Sequence, residues 1–332
     1  MSGPVGWGIL GAGRISTLAV GPALAASPLC SVNAVGARDV DRAAALGARL
    51  ADLGGSAKSN AYGSYEQVIA DPAVEVVYVA LPNDAHVPWA IEALRAGKHV
   101  LCEKPLGMDV AEVRSAFDVA EESGALLVEA SWYRWHPRTQ DAERMVADGV
   151  VGNIATVEAE FVFEGVPVDD YRMDPGQGGG ALYDVGCYAI SAVGWTTGWA
   201  ALGDFQVRTR SHSGGVDLST WAQVEAGGAV ATIRSAIDEL PFQRLDITGA
   251  TGSLRFRPHV FSAWTADRTV LEVARDSAVS VREYEPCDPY LRMVEAVAGR
   301  AAGRDDWVVP RRDSEWIATV MDALRAAPGS NG

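Results

Sequence analysis

The sequence predicts an α/β domain built on a doubly wound parallel sheet, followed by an α+β domain with a large, mostly antiparallel open sheet. Three observations lead to this prediction. Strand-like and helical stretches alternate over the first 130 residues, a glycine-rich turn follows the first strand-like run, and apolar–polar alternation marks the rest. Because domains usually hold about 100–200 residues, a chain of 332 residues is expected to form two. We place them at residues 1–130 and 131–327.

The first domain is predicted from five β-rich runs separated by amphipathic, alanine-rich stretches. Strands that alternate with helices in this way form a parallel sheet with helices on both faces. Ligands bind such sheets at the carboxyl ends of the strands, so the residues after each run are candidates for a site. The strand-like runs cover residues 5–10, 31–37, 76–81, 99–102 and 125–130, and the helical stretches cover residues 15–26, 41–53, 87–96 and 110–123.

The second domain is predicted from runs that alternate apolar and polar residues, which is typical of half-buried antiparallel strands. Helical stretches separate or close these runs, so we expect one large sheet with helices on one face. The other face is expected to be apolar and to need cover, which predicts a homodimer, with a tetramer as the alternative. The runs cover residues 154–164, 205–210, 219–224, 229–235, 244–248, 253–257 and 261–265, and the helices cover residues 136–148, 181–195, 290–298 and 313–326.

The composition is that of a globular chain, with 48% hydrophobic and 21% charged residues. No apolar run reaches the roughly 18 residues of a membrane span. The net charge of −15 disfavours a nucleic-acid partner, because phosphate backbones attract basic surfaces. The cysteines lack metal-ligand spacing and the N-terminus lacks a basic leader, so we expect a cytoplasmic protein without a metal site.

A glycine-rich turn follows the first strand-like run directly. Gly11, Gly13 and Ser16 match the spacing of the dinucleotide-binding fingerprint, with serine where glycine or alanine is usual. The first glycine permits a tight turn, the second lets the backbone approach a pyrophosphate, and the third position needs a small side chain. The turn therefore predicts a Rossmann domain that binds a nicotinamide dinucleotide. The alternative is an ordinary glycine turn.

Ala37 and Arg38 follow the second run, where the adenosine ribose of such a cofactor is expected. An arginine there pairs with the 2′-phosphate of NADP, whereas an acidic residue accepts a hydrogen bond from the 2′-hydroxyl of NAD. Arg38 comes first, and Asp39 is expected to begin the next turn or cap the next helix. NADP(H) is therefore favoured and NAD(H) is the alternative. Arg38 as a solvated surface charge is the other interpretation.

Only three of the 28 basic residues are lysines: Lys58, Lys98 and Lys104. An ammonium can lose its proton near neutral pH in a suitable environment, which a guanidinium cannot do. Lys104 stands between Glu103 and Pro105 at the carboxyl end of the fourth run, at the ligand-binding edge of the sheet. We expect Lys104 to be the central catalytic residue. The alternative is a surface ion pair with Glu103.

Together these segments resemble the glucose–fructose oxidoreductase / inositol dehydrogenase / MocA (Gfo/Idh/MocA) oxidoreductase family. The matching segments stand in the family's order between residue 6 and about residue 200, and the Glu-Lys-Pro and glycine-triplet elements are the most specific. The segments are the turn at 11–16, LPNDAH at 81–86, AGKHVLCEKP at 96–105, YRWHP at 133–137 and GGGALYDVGCY at 178–188.

The resemblance implies an oxidoreductase in which Lys104 is the catalytic lysine, Asp184 the acid and Tyr188 the proton donor. A tyrosine at this last position is similar to the reductases and to the dihydrodiol or xylose dehydrogenase branch. An Ala-Arg or Ser-Arg pair after the second strand is associated with NADP, and Ala37 lacks the phosphate contact that a serine would add. The implied cofactor contacts are Gly11, Gly13, Arg14, Ile15, Ser16, Ala37, Arg38, Leu81, Pro82, Asn83, His86, Glu103, Lys104 and Arg172, and the implied substrate contacts are Lys104, Arg134, Tyr171, Asp184 and Tyr188.

The residues themselves lead to the same set. Asp184 and Tyr188 are four apart, so on a helix they share one face. The glycines before them suit a helix start that a ligand approaches closely. A phenol has an ordinary pKa near 10 and needs a nearby ammonium to act at neutral pH, which Lys104 could supply. Tyr188 as a packed core tyrosine is the alternative.

The sequence thus predicts an NADP(H)-dependent oxidoreductase that moves a hydride between the nicotinamide and a hydroxyl or ketone of a sugar, polyol or alicyclic diol. Two alternatives remain. One is a non-catalytic sensor that kept the dinucleotide fold, since a fold does not fix a function. The other is a cofactor-assisted glycoside hydrolase of the same broad family.

Overall fold

A computed structural model of the chain describes residues 3–54, 59–262, 266, 268–276 and 278–327. Two π-helical turns, Ser16–Val20 and Leu182–Gly186, lead into helices α1 and α7. The strands are β1 (Val5–Leu10), β2 (Cys30–Gly36), β3 (Asn60–Tyr62), β4 (Val76–Val79), β5 (His99–Cys102), β6 (Leu127–Glu129), β7 (Ile154–Val162), β8 (Leu202–Ser211), β9 (Asp217–Ala226), β10 (Ala229–Ala236), β11 (Phe242–Gly249), β12 (Gly252–Arg257), β13 (Thr269–Arg275) and β14 (Ala278–Tyr284). The helices are α1 (Gly21–Ala26), α2 (Val40–Asp52), α3 (Tyr65–Ala70), α4 (His86–Arg95), α5 (Val110–Ser123), α6 (Pro137–Ala147), α7 (Cys187–Thr196), α8 (Pro289–Ala301) and α9 (Arg311–Ala326).

The first compact unit of the chain comprises Met1–Gly107, Ala111–Trp132 and Asp288–Arg311. Its six strands lie in the order β3-β2-β1-β4-β5-β6 and pair in parallel. The strand order reverses between β1 and β4, and in doubly wound sheets ligands bind outside the carboxyl ends of the strands at this point. The predicted α/β class is confirmed.

Most elements of the first unit follow the sequence pattern. Strands β1 and β5 and helix α5 begin and end at the predicted residues. Strand β3 and helix α3 were not predicted, because three and six residues are too short to show a clear periodicity. Helix α8, which the sequence placed in the second domain, packs in this unit: its Glu295 accepts a hydrogen bond from the Ser27 hydroxyl (3.0 Å).

The second compact unit comprises Met108–Val110, Tyr133–Cys287 and Arg312–Gly332. Its eight strands lie in the order β14-β13-β12-β11-β7-β10-β9-β8, and neighbours are antiparallel except for the parallel pair β7 and β10. Every residue of helix α7 is buried, because the helix is apolar on all sides and packs against β7 and β10. The predicted α+β class with a mostly antiparallel sheet is confirmed.

The far end of this sheet differs from the prediction. Strands β13 and β14 were not predicted, whereas a strand was expected at residues 261–265. Phe261 and Ser262 form a bend, and residues 263–265 lie outside the described residues. Phe261 is fully buried and packs its ring against Tyr133 and Phe161, so its apolar character reflects core packing and not a strand.

One face of the second sheet is charged, not apolar as expected. A row of paired residues crosses five strands from β8 to β11. The guanidinium of Arg208 lies 5.2 Å from the ring centre of Trp221, and Glu160 forms ion pairs with the arginines on both sides. The apolar-face argument for oligomerisation was therefore wrong, although an Arg- and Trp-rich face is itself typical of interfaces. The row is Arg208, Trp221, Arg234, Glu160 and Arg244.

Candidate active site

The glycine-rich turn leaves room for a ligand at the end of β1. Gly11 has a φ of +105°, and a Cβ there would overlap the carbonyl oxygen of Ala80, so only glycine fits. A Cβ on Gly13 would meet no described atom within 4 Å. The buried hydroxyl of Ser16 donates to the Gly11 carbonyl (2.7 Å), and the Thr17 N–H donates to the Gly13 carbonyl (3.1 Å). The first helical turn thus begins at Gly13, and this open helix start fits a pyrophosphate.

Two arginines are candidates for a phosphate contact near this turn. Arg38 is exposed two residues after β2, and the Nη2 of Arg42, in α2, donates to the Ala12 carbonyl (2.9 Å). Burial raises the pKa of Tyr65, and the charges of Arg38 and Arg42 oppose that shift, so both charges lie near its hydroxyl. Asp39 accepts an N–H of the first turn of α2 and caps that helix, as expected. The sequence reasoning missed Arg42, whose helical position gave no signal for a contact with the turn.

His86 connects two segments at the carboxyl edge of the sheet. Its imidazole is 1% exposed, with Nδ1 2.8 Å from the Pro105 carbonyl oxygen and Nε2 2.8 Å from the Leu81 carbonyl oxygen. Burial lowers the pKa of His86, so the ring is neutral at neutral pH. The ring therefore lies between the segment after β4 and the segment that follows Lys104, with one nitrogen within hydrogen-bond distance of each. Its predicted contact with the cofactor stays a prediction.

The remaining predicted cofactor residues differ in exposure. Asn83 is buried at the start of the turn that precedes α4, and Ala37 is buried at the end of β2. Arg14 is exposed at the glycine-rich turn. Ile15, Leu81 and Pro82 are half-buried. All of them lie in the first unit, at the carboxyl ends of β1, β2 and β4.

Lys104 follows β5 and is half-buried, at the carboxyl edge where the sequence predicted it. Its neighbour Glu103 is buried and accepts a hydrogen bond from the Tyr78 hydroxyl (2.6 Å), so Glu103 is anchored within the sheet. Lys98 has a structural role, because its ammonium donates to the carbonyls of Asp71 and Val74 (3.1 and 2.7 Å). Lys58 lies outside the described residues.

Asp184 is held by an arginine within the second unit. Its side chain lies in the π-helical turn before α7 and is largely buried, and Oδ2 accepts from the Nε of Arg172 (2.8 Å). Arg172 also pairs with Asp170 (3.1 Å) and stacks over the ring of Tyr171 at 4.7 Å. Despite burial, these negative charges raise the pKa of Arg172. Arg172, predicted as a cofactor contact, is thus a direct partner of the predicted acid.

Tyr188 lies in the first turn of α7, one turn after Asp184, and is 7% exposed. Three aromatic rings surround it at centroid distances of 5.5 to 5.9 Å: Phe161, Tyr133 and Phe261. This apolar packing fixes the ring plane of Tyr188 and keeps water from most of it. The arrangement suits a phenol that exchanges a proton at one defined position.

Arg134, a predicted substrate contact, is buried between elements of the second unit. Only 3% of its side chain is exposed, and it pairs with Glu143 and with Asp313 (3.3 Å) while its guanidinium lies over the Trp199 ring. The negative charge of Glu143 and Asp313 raises the pKa of Arg134 despite burial. Its guanidinium is thus committed to neighbouring side chains, and a contact with substrate stays a prediction.

The glycines before Asp184 make room for the protein's own groups. A Cβ on Gly179 would overlap the backbone of Arg172, and a Cβ on Gly180 would overlap the carboxylate of Asp217. The sequence reasoning had attributed this space to a ligand. It also gave no signal for Asp217, which lies far along the chain on β9.

Among the described residues, no group of three or more His, Cys, Asp or Glu could hold a metal ion.

The first unit has a glycine-rich turn at the switch point of a doubly wound sheet. The second unit has Asp184, bound by Arg172, and Tyr188. Together these features define a dinucleotide-dependent oxidoreductase. A family model described as "Oxidoreductase family, NAD-binding Rossmann fold" matches residues 5–131, and the "GFO/IDH/MocA C-terminal domain" model matches residues 139–255. The chain belongs to the Gfo/Idh/MocA oxidoreductase family, and the predicted family and enzyme class are confirmed.

Several characterised relatives match almost the whole chain. D-xylose 1-dehydrogenase (NADP(+)) 2 of Haloferax volcanii is 35% identical over 96% of this chain and 95% of its own. Trans-1,2-dihydrobenzene-1,2-diol dehydrogenase of Mus musculus is 30% identical over 97% and 96%. A 3-ketoreductase from Actinomadura kijaniata, solved with NADP and TDP-benzene, superposes with a TM-score of 0.85 at 30% identity, covering 97% of each chain.

Proposed function

We propose that the protein is an NADP(H)-dependent oxidoreductase that transfers a hydride between the nicotinamide and a hydroxyl or ketone carbon of a sugar, polyol or alicyclic diol. The observation that carries this proposal is the Asp184–Tyr188 pair at the buried start of α7, with Arg172 bound to the acid. Relatives that act on xylose, a deoxysugar nucleotide and a dihydrodiol support this substrate range.

The chemistry assigns one role to each residue. The nicotinamide, when bound, accepts or supplies the hydride. We assign proton transfer to Lys104 and Tyr188, which take the hydroxyl proton during oxidation and return it during reduction. Asp184, held by Arg172, orients the substrate hydroxyl. Tyr171 and Arg134 stay candidate contacts for the substrate.

A relative supports the Lys104–Tyr188 pair. The Actinomadura ketoreductase has also been solved with one tyrosine changed to phenylalanine, and with one lysine changed to alanine or glutamate. Those two positions are as far apart along its chain as Lys104 and Tyr188 are in this one. Both residue types and their separation therefore agree with the relay proposed here.

The preference for NADP(H) rests on Arg38 and Arg42. The Arg42 guanidinium contacts the glycine-rich turn, and the charges of Arg38 and Arg42 both act on Tyr65. Two such groups suit a ribose 2′-phosphate, which a single arginine would hold less firmly. Ala37 cannot donate the side-chain hydrogen bond that a serine would, so Arg42 takes on more of this task. NAD(H), which lacks the phosphate, is expected to bind more weakly.

The test is a panel of sugars, polyols and diols, read at 340 nm with NADP and NAD, on wild-type protein and on Tyr188→Phe. We expect free NADPH to form with at least one compound and to form more slowly with the variant. A sensor would bind NADP without turning over any compound. A cofactor-assisted hydrolase would split a glycoside without releasing NADPH, so either result would overturn the proposal.

We also propose that the protein is a cytoplasmic homodimer. The thiols of Cys30 and Cys102 are buried, and burial raises the pKa of Cys30 to about 11, which suits a chain with reduced cysteines. The Arg- and Trp-rich row on the second sheet is the candidate interface. In the described part of the chain, no helix is long and apolar enough to cross a bilayer.

A further inference from the structure

The helix that carries Asp184 and Tyr188 begins without a capping side chain of its own. The Asp184 N–H donates to the Gly180 carbonyl (3.0 Å), so helical hydrogen bonding starts at Gly180, which has no side chain. The first N–H groups of a helix have no partner within the helix and are usually satisfied by the residue before it. Here that partner comes from elsewhere in the fold.

Asp217, the first residue of β9, supplies the missing acceptor. Its Oδ2 accepts from the backbone N–H of Leu182 (2.8 Å) and from the hydroxyl of Thr220 (2.9 Å). Gly180 has a φ of +116°, and any Cβ there would overlap the Asp217 carboxylate. The third glycine of the triplet is therefore explained by the approach of this carboxylate, which reaches the helix from a residue 35 positions after Leu182.

The surroundings of Asp217 define its charge. Burial raises its pKa to about 6, while the Leu182 N–H, the Thr220 hydroxyl and the positive charge of Arg325 in α9 act in the opposite direction. The carboxylate is therefore ionised at neutral pH. A negative charge at a helix N-terminus is favoured by the helix dipole, so its position suits the ionised form.

We propose that Asp217 is a positioning residue of the active site: by capping the helix at Leu182, it fixes the places of Asp184 and Tyr188. The inference rests on the proposed function, in which these two side chains act on the substrate. Asp184 is only two residues beyond the capped N–H, and Arg172 holds its carboxylate at a single geometry. A displacement of about 1 Å in such a group can lower a rate by about a hundredfold.

The experiment compares three variants on the substrate found in the panel. Asp217→Ala removes the acceptor, Asp217→Asn keeps one side-chain oxygen that can accept from Leu182, and Asp288→Ala removes the side-chain cap of α8, a helix without proposed catalytic residues. We expect Asp217→Ala to lower kcat by at least about tenfold with little change in KM for NADP, because all of the predicted cofactor contacts except Arg172 lie in the other unit. Asp217→Asn should restore most of kcat, and Asp288→Ala should lower thermal stability similarly without lowering kcat.

Hydrogen exchange supplies a readout that does not need turnover. In Asp217→Ala, the amides of Leu182–Gly186 should exchange faster than in wild type, and in Asp288→Ala they should not. If Asp217→Ala keeps wild-type kcat and amide protection while Tyr188→Phe is slow, the positioning role is refuted and the proposed function stands. If wild type turns over no compound of the panel, the proposed function fails. If Tyr188→Phe has wild-type kcat, the catalytic role of Tyr188 fails, and the positioning role that rests on it fails too. Unchanged Leu182 protection in Asp217→Ala, or an Asp217→Asn variant as slow as Asp217→Ala, also refutes the capping role.

Discussion

Single contacts prepare the site before any ligand arrives. Arg172 binds the Asp184 carboxylate and stacks on Tyr171, so the acid cannot rotate freely. In the other unit, His86 lies against backbone oxygens of the segments that follow β4 and Lys104. Groups fixed in this way lose little entropy when the substrate binds, which is how pre-organised sites gain rate.

The arginine pair sets the cofactor preference. Arg38→Ala and Arg42→Ala should each weaken NADP binding tenfold to a hundredfold and leave NAD binding nearly unchanged, since a charge-assisted hydrogen bond contributes about 1.5–3 kcal/mol. Fluorescence titration of both cofactors measures this. Arg49→Ala is the matched control, because Arg49 is an exposed arginine in the last turn of α2. Equal losses for NAD and NADP would contradict the assignment.

Lys104 should be essential for turnover but not for binding. Lys104→Met keeps the length of the side chain but removes its charge and its protons, so kcat should fall by at least about a hundredfold while the Kd for NADP changes by less than about tenfold. The control is Lys98→Met, which removes an ammonium bound to backbone carbonyls. Adding Tyr188→Phe to Lys104→Met should slow the enzyme little further, because members of one relay are not additive. A fast Lys104→Met enzyme would disprove the relay.

Some helices and strands could be predicted from the sequence alone, and others could not. The runs that formed β1, β5 and α5 were apolar or amphipathic along their whole length, so periodicity defined their ends. The two π-helical turns were not predicted, because a π turn leaves no distinct pattern in the sequence. The Asp184–Tyr188 pair could be found from its motif. Its contact with Arg172 and the Asp217 cap could not, since such pairings depend on the tertiary fold.

The capped helix start makes stability depend on pH. The folded-state pKa of Asp217 is about 6, above its ordinary value of 3.8. The folded protein therefore binds this proton more tightly than the unfolded chain does, and the stability gained from the proton is lost as the pH rises through 6. As the pH rises from about 5 to about 8, the loss of this proton should lower the free energy of unfolding by roughly 1–2 kcal/mol.

Asp217→Asn should abolish this contribution, because an amide does not titrate. Urea unfolding of wild type and variant across that pH range measures the difference. We expect the variant to gain stability relative to wild type as the pH rises. Parallel curves for the two proteins would show that Asp217 has an ordinary pKa.

At the scale of the whole molecule, the face of the second sheet that carries the Arg- and Trp-rich row is the surface for which we expect a partner. Trp221 lies between Arg208 and Arg234 in the row, and rings packed with guanidinium groups are frequent at the centres of interfaces. We expect a homodimer at micromolar concentration by light scattering, which Trp221→Glu should shift toward monomer. Leu53→Glu, at an exposed apolar residue of the first unit, is the control. A wild-type monomer at this concentration contradicts the proposal.

The imidazole of His86 has a consequence for motion at the cofactor edge. A neutral ring carries one N–H, yet both of its nitrogens lie 2.8 Å from carbonyl oxygens, those of Pro105 and Leu81. Each tautomer can therefore serve one carbonyl and leaves the other without that bond. The tautomer therefore decides whether the ring donates to the segment after β4 or to the segment after Lys104. Nitrogen-15 chemical shifts of His86 would report the balance between the two tautomers, and cofactor binding should move it.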